Sequence, residues 1–429
     1  MKSELNDKMI WQYVSIDEVK DPKKHAMAMG PFGSNITIDN FVEKGIPVIR
    51  GGNLKNNQLN EDTFVFVTEE KANELIASNA YPEDIVFTHR GTLGQVIIIP
   101  KNSKYKRYVV SQSQMKLTCD KSKVSPLFVY YYFCSPQGQH EMYSYTNSTG
   151  VPSISSPLSS LKAMKIPHIP LQEQEKIGKI LIDLDDKIKN LQNQNDILQQ
   201  IIYAIFKSWF IDFDGVSKFN DSELGSIPKG WKIELLGDLF TVTDYTANGS
   251  FAGLNENVTY SYVPDYAILV RQIDYNNNWN GNYVYVDKHS YNFLKKSSLE
   301  SGDVMVSNIG NVGIVFRVPN LGKPMTGAPN VLIIKTSKFK KEFVYQFLKS
   351  SIGQNEMFSI VSGSAQPKFN KTDFRHLKII SPLEEIIKQF DNVTNPLQRK
   401  RENNSIQMEN LHKIKNILLP KLMLGEIKV

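Results

Sequence analysis

Cysteine is nearly absent: Cys119 and Cys134 are the only two in 429 residues. A disulfide framework is excluded, no Cys/His spacing of a zinc module accompanies them, and a reducing compartment is expected. Long apolar runs are missing as well. Spanning a bilayer takes roughly 18 consecutive apolar residues, and the greasiest stretch, IIYAIFKSWFIDF, carries Lys207 in its middle. The opening MKSELNDKMIWQYVSIDEVK has no signal-peptide core, so a soluble cytoplasmic chain is expected. A large excess of one charge sign is missing too. Lys plus Arg number 50 against 44 Asp plus Glu, a formal +6, which suits a polyanionic partner without demanding one. With 41% hydrophobic residues, 25 Gly and 20 Pro, wholesale disorder and collagen-like structure are ruled out.

Recognisable catalytic motifs are also lacking. No G-x-x-x-x-G-K-[ST] phosphate loop and no G-x-G-x-x-G after a strand occurs. Asp21-Pro22 and Asn395-Pro396 are not followed by the Pro-aromatic pair of amino-methyltransferases, and the seven His residues are scattered with no H-E-x-x-H. An autonomous enzyme is not expected, and no cofactor or metal site is assigned to this chain.

What is present is written twice. Trp11 of WQYVSIDEV has a counterpart in Trp231 of WKIELLGDL, and GTLGQVIIIP (91–100) reappears as GNVGIVFRVP (310–319). KIPHIPLQEQEKIGKIL (165–181) parallels KIISPLEEIIKQF (378–390). Each copy alternates short Val/Ile/Tyr/Phe runs with Gly, Asn and Asp turns, then passes a Pro-Leu boundary into a long helix. Two copies of this length point to duplication with divergence.

The helices carry the sharpest periodicity. Ile177, Leu181, Leu184, Ile188, Leu191, Asn195, Leu198, Ile202, Ile205 and Trp209 alternate steps of four and three. Ile386, Phe390, Val393, Leu397, Lys400, Asn404, Gln407, Leu411, Ile414 and Leu418 follow the same spacing throughout. Such a seam predicts coiled coil, and the economical partner of each helix is the other. Asn195 and Asn404 occupy matching positions. Buried together they would set register and orientation; a surface-facing Asn on a frayed helix is the other reading.

Several stretches resemble the specificity subunit of Type I restriction–modification systems: GSIPKGWK (225–232), IPLQEQEKIGKIL (169–181), ILLPKLMLGEI (417–427) and FTHRGTLGQV (87–96). Two departures stand out, because SPLEEIIKQF lacks the Glu-Gln pair and Asn308-Ile309 replaces His89-Arg90. The resemblance implies an α+β chain in which two globular α/β target-recognition domains are joined by two long antiparallel coiled-coil helices, a pseudo-twofold internal repeat. It places target-recognition domains at residues 1–171 and 215–383 and helices at 172–214 and 384–429. It implies a non-catalytic subunit that reads a bipartite, asymmetric target on double-stranded DNA. Partners would be two modification subunits, which use S-adenosylmethionine, and restriction subunits, which use Mg and ATP. The competing expectation is a sequence-blind coiled-coil scaffold or DNA-binding adaptor.

Candidate DNA contacts follow from charge and hydrogen-bonding type. The run 101–123 holds seven basic residues against one acidic, so Lys104, Lys106 and Arg107 suit phosphates, while Gln112 and Gln114 suit adenine edges. The run 335–349 holds five basic residues against one acidic. A solvated face would have the same composition. Arg50 and Arg271 sit at matching places after an apolar strand, and with His89, Arg90 and Asn308 they suit groove contacts or turn and salt-bridge roles. Asn277 lies in the Asn-rich segment 275–283, a base-reading loop or a hairpin. Ser153, Gln366, Lys368 and Asn370 follow matched Gly-containing loops.

Overall fold

The computed structural model describes residues 11–147, 150–279, 281–337 and 340–429. The opening ten residues, Asn280 of the Asn-rich segment and Lys338 of the second basic run lie outside the described residues. Two compact units form, one from the chain up to Gln192 together with Ser405–Val429, the other from Asn193–Asn404.

In the first unit, short apolar runs become strands of two sheets. One has the order Val96–Ile98, Ile85–Thr88, Gln114–Leu117, Met27–Met29, all antiparallel. The other runs Phe41–Val42, Val65–Val67, Ile46–Ile49, Tyr108–Val110, Asn79–Ala80, and its Ile46–Ile49 and Tyr108–Val110 strands pair in parallel. Ile85–Thr88 and Gln114–Leu117 are buried at every position, which is why they do not alternate apolar with polar. The apolar segment Pro126–Cys134 forms a helix packed into the same core. Ser135 ends it and caps the next helix, Pro136–Tyr143, by accepting from the Gly138 N–H at 3.2 Å.

The second unit repeats this plan. Its four-stranded sheet runs Val315–Arg317, Val304–Ser307, Val331–Lys335, Thr241–Asp244. Its five-stranded sheet runs Tyr260–Ser261, Val284–Val286, Ala267–Val270, Met325–Gly327, Ser298–Leu299, with the parallel pair again in the middle. Ser350 caps Ser351–Ser359 at the Gly353 N–H, also at 3.2 Å. The duplication therefore extends to strand order and helix caps.

Each unit ends in an antiparallel strand pair leading into a long helix, Gln12–Ser15 with Lys165–His168 and Lys232–Leu235 with Lys378–Ser381. The helices are Leu171–Phe210 and Glu384–Met423, 40 residues each. In the first unit, Ile177 and Leu181 from the start of one helix share a core with Leu419, Leu422 and Met423 from the end of the other. In the second, Phe206 and Phe210 meet Ile387 and Phe390. The helices run antiparallel within each unit.

The seam differs from the predicted one at alternate positions. Phe390, Leu397, Asn404 and Leu411 lie on or beside the buried face, but the intervening places go to Thr394, Arg401, Met408 and Lys415. Val393 and Ile414, assigned to the seam by sequence, are each 45% exposed. Likewise Asp185 and Phe206 are buried where Leu184 and Ile205 are only partly so. Counting aliphatic residues misplaces these steps because the buried polar side chains bring their own partners. Lys415 Nζ reaches both oxygens of Asp185 at 2.6 and 2.7 Å, and Tyr131 Oη donates to the same carboxylate at 2.8 Å. Thr394 Oγ1 donates to the Phe390 carbonyl at 2.8 Å.

Candidate nucleic-acid interface

The strand ends of the first unit gather four loops. Ile46–Ile49 ends at Arg50, and the Ser111 N–H donates to the Ile49 carbonyl at 2.9 Å, bringing the loop after Tyr108–Val110 alongside. Ile85–Thr88 runs into His89, whose N–H donates to the Ser113 carbonyl at 2.9 Å. Gly91 N–H donates to the Pro152 carbonyl at 3.0 Å, and Ile154 N–H to the His89 carbonyl at 2.9 Å. Arg90 and Ser153 thus lie opposite one another across a β-bridge. Arg50, Arg90, Gln112 and Ser153 are brought together on this edge, the first three exposed and Ser153 half-buried.

The second unit has the same stitching. Ala328 N–H donates to the Val270 carbonyl at 2.9 Å, placing the following loop beside Arg271. Asn308 N–H donates to Asn330 O at 3.2 Å, Gly310 N–H to Pro367 O at 2.9 Å, and Phe369 N–H to Asn308 O at 3.0 Å. Ile309 bridges Lys368 as Arg90 bridges Ser153. The Gly-x-x-Gly turns match too: Gly91 and Gly94 have φ of +90° and +85°, Gly310 and Gly313 +80° each, a conformation that disfavours a side chain.

Individual side chains divide into exposed and engaged. His89 is 6% exposed, and its Nε2 lies 3.0 Å from the Gln112 carbonyl. Burial holds its pKa below the ordinary 6.5, so the neutral ring donates there and buttresses the Gln112 loop. Gln114 is wholly buried in its strand, its oxygen accepting from Ser111 Oγ. It is not presented to a base edge. Its neighbour Gln112 is exposed, because the strand begins between them. Asn308 is half-buried and its Nδ2 donates to the Phe369 carbonyl at 3.1 Å. Asn370 is exposed but caps Lys371–Arg375, accepting from the Asp373 N–H at 2.7 Å. Asn277 is exposed just after the short helix Gln272–Asn276, and Gln366 and Lys368 are exposed beside the second Gly-x-x-Gly turn.

The basic run 101–123 is not one surface patch. Lys104 and Lys106 are exposed and Arg107 half-buried, at the start of Tyr108–Val110 rather than at its Gln112 end. Lys104 lies over the Tyr105 ring at 5.3 Å. Lys116 is buried 3.5 Å from Asp84, Lys121 pairs with Glu83, and Lys123 lies 3.8 Å from Asp120. In the second run, Lys341 pairs with Asp303 at 2.8 Å, and Lys341–Lys349 is a helix whose Phe343, Val344, Phe347 and Leu348 fill the core. Cys119 is buried, and burial pushes the Cys134 thiol up to about 12. Among the described residues no three His, Cys, Asp or Glu side chains come together as metal ligands would.

Comparison with known proteins adds a family to this geometry. The model of the Type I restriction modification DNA specificity domain matches twice, at residues 11–200 and 228–408. The chain belongs to that family. Among its relatives, the Type I restriction enzyme MjaIX specificity subunit of Methanocaldococcus jannaschii is 26% identical over 367 residues, 84% of this chain and 81% of that one. The HindI specificity subunit of Haemophilus influenzae is 26% identical over 406 residues, 77% of this chain and 85% of that one. The fold is shared with the Type I restriction–modification S subunit from M. genitalium, at a TM-score of 0.57, 16% identity and 98% coverage of both chains. A sequence-blind scaffold is not the reading these likenesses favour.

Sequence reasoning missed the groups that hold the specificity-family loops in place. Gln139 Nε2 donates to the carbonyls of Gly94 at 3.0 Å and Phe133 at 2.6 Å. Gln354 Nε2 does the same to Gly313 at 3.1 Å and Leu348 at 2.7 Å. Both glutamines follow a Ser-capped glycine, in SPQGQ and SSIGQ, and that recurrence 215 residues apart was the available signal. Asn53 and Asp274 were missed as well. Each accepts from the backbone N–H of the arginine three residues earlier, Arg50 at 2.9 Å and Arg271 at 2.8 Å.

Proposed function

We propose that this specificity subunit reads a bipartite, asymmetric target on double-stranded DNA, one half-site per unit, through the loops gathered at the strand ends. The observation carrying this reading is the shared backbone stitching of two loop clusters that present different side chains. A fixed frame with exchangeable donors and acceptors is what direct readout of unlike base edges requires. In this reading Arg90 and Gln112 face the first half-site, Lys368 and Asn277 the second, and exposed Lys104 and Lys106 contribute phosphate contacts that set position rather than sequence.

Exposed aliphatic side chains on the helices, Ile406, Ile414 and Ile417 in the first unit and Ile197, Ile201 and Val393 in the second, offer docking surfaces for two modification subunits. Restriction subunits complete the complex. S-adenosylmethionine then belongs to the modification subunits and Mg with ATP to the restriction subunits. This chain contributes recognition and assembly without a catalytic group, and it works in the cytoplasm.

Sequencing of methylated bases in cells with and without the gene tests the reading. A two-part methylated motif that disappears with the gene is expected, and exchanging residues 11–170 for those of a relative should alter one half of it. An unchanged methylation pattern on deletion, or alteration of both halves on exchange, would overturn the proposal.

A further inference from the structure

Arg50 and Arg271 occupy the same place in the two loop clusters, each directly after the strand that pairs in parallel at the centre of its five-stranded sheet. The side chains that cap them differ in one heavy atom. Asn53 and Asp274, both buried, spend one oxygen identically on the arginine's backbone N–H. The remaining atom of Asn53 is the amide nitrogen, which donates to the Asn60 carbonyl at 3.0 Å and lies 3.3 Å from Thr63 Oγ1. It cannot accept from a guanidinium. The remaining oxygen of Asp274 accepts from Arg271 Nη2 at 2.7 Å, while Arg271 Nε lies 3.3 Å from its other oxygen. Arg271 Nη2 also donates to the Asn282 carbonyl at 3.0 Å.

The hydrogen count decides what each arginine has left. The single Nε hydrogen and both Nη2 hydrogens of Arg271 are committed, which occupies one donor from every two-nitrogen edge of the fork. Only the two Nη1 hydrogens stay free, and they diverge. Arg50 is exposed, and its guanidinium makes one long contact, Nη2 to the Thr63 carbonyl at 3.5 Å. At least one complete edge is free. Bidentate donation to guanine O6 and N7 needs such an edge.

We infer that residues 53 and 274 are specificity-determining: Asn53 leaves Arg50 able to clamp a guanine in the first half-site, whereas Asp274 withholds Arg271 from any bidentate base contact in the second. Asp274 is a positioning residue, acting through Arg271, and the inference rests on the reading that these loops face DNA.

The test uses the full chain assembled with its modification subunits, measuring binding to duplexes carrying the methylated motif with each position substituted in turn, at fixed salt. Arg50→Ala should relax one first-half position by roughly 5- to 150-fold, the range of a bidentate pair, whereas Arg271→Ala should weaken all duplexes alike. Asp274→Asn, which keeps the backbone cap, should create a new guanine preference of that size in the second half-site. Adding Arg271→Ala to it should abolish the preference. If both alanine variants leave affinity and motif unchanged, the loops do not face DNA and the functional reading itself falls. If Arg50→Ala relaxes a position but Asp274→Asn creates no preference, the inference alone falls. It falls equally if Arg271→Ala by itself relaxes a base position, a comparison that holds even if Asp274→Asn does not fold.

Discussion

Asn404 Nδ2 donates to Asn195 Oδ1 at 3.0 Å, and both side chains are buried, 6% and 0% exposed for Asn195 and Asn404. The two positions correspond between the helices, and the contact lies inside the second unit. Asn195 Nδ2 also lies 3.3 Å from the Arg401 carbonyl. Polar groups paired in this way cost stability relative to packed aliphatics, and their known use is to fix register.

Replacing both asparagines by Leu should therefore raise the melting temperature. Asn195→Leu alone should lower stability by about 1–3 kcal/mol, since it leaves the buried Asn404 amide only a long 3.4 Å contact to Gln194 Oε1. Thermal unfolding of both variants checks this, and a lower melting temperature for the double variant would contradict the role.

The Asp185–Lys415 pair should be costly to break and cheap to replace. The carboxylate holds Lys415 and the Tyr131 hydroxyl, with burial pushing the Tyr131 pKa well above its usual value. Lys415→Met alone should cost about 3–5 kcal/mol, because a charge is left buried without its partner. Asp185→Leu with Lys415→Met, combined with Tyr131→Phe so that no buried hydroxyl is stranded, should recover most of that in denaturant unfolding. A combined variant as unstable as the single one would mean the pair itself is essential.

His89 should make the first unit acid-sensitive. Burial lowers its folded pKa below the ordinary 6.5, so its contribution is present above that value and is lost as pH falls through the depressed folded pKa. Between pH 7.5 and 5, the native chain should lose more stability than His89→Asn, read by melting temperature at each pH. Equal losses would exclude His89 as a source.

Gln139→Ala should loosen one Gly-x-x-Gly turn and spare the other. It strands the Gly94 and Phe133 carbonyls, at about 1–3 kcal/mol for buried groups. Reduced stringency of the methylated motif is expected in the first half only, and Gln354→Ala should mirror it in the second. Motif sequencing with each variant decides, since loss of both halves together would mean general unfolding.

The duplicated frame was legible in the sequence because turns and strand runs recur as residue identities, as in 91–100 and 310–319. The approximate places of the long helices were legible for the same reason, through their Pro-Leu entries. What could not be read depends on pairing across distance. Gln114 looks like a solvent-facing amide in SQSQ, yet it belongs to a strand covered on both faces. Lys116 looks like part of a basic patch until Ile85–Thr88 brings Asp84 beside it. The seam slipped at Thr394 because its hydroxyl is satisfied within its own helix by the Phe390 carbonyl, and at Lys415 because hydrophobicity alone does not foresee a polar side chain whose partner is 230 residues away, as Asp185 is.

The core of the first unit is completed by Leu419, Leu422 and Met423, while Trp11 packs beside that core and within 3 Å of where a side chain at Gly425 would begin. Synthesis runs from the N-terminus, so this domain stays unfinished until residues 419–423 have left the ribosome. The second unit draws only on Asn193–Asn404 and has all its parts earlier. Biogenesis should thus reverse the order of the genetic message, with the later-encoded half mature first and the earlier-encoded half exposing apolar surface to chaperones in the interval. A nonsense codon a few residues upstream of Leu419 would be felt most by the earlier-encoded half, whose sheets lie far upstream of it.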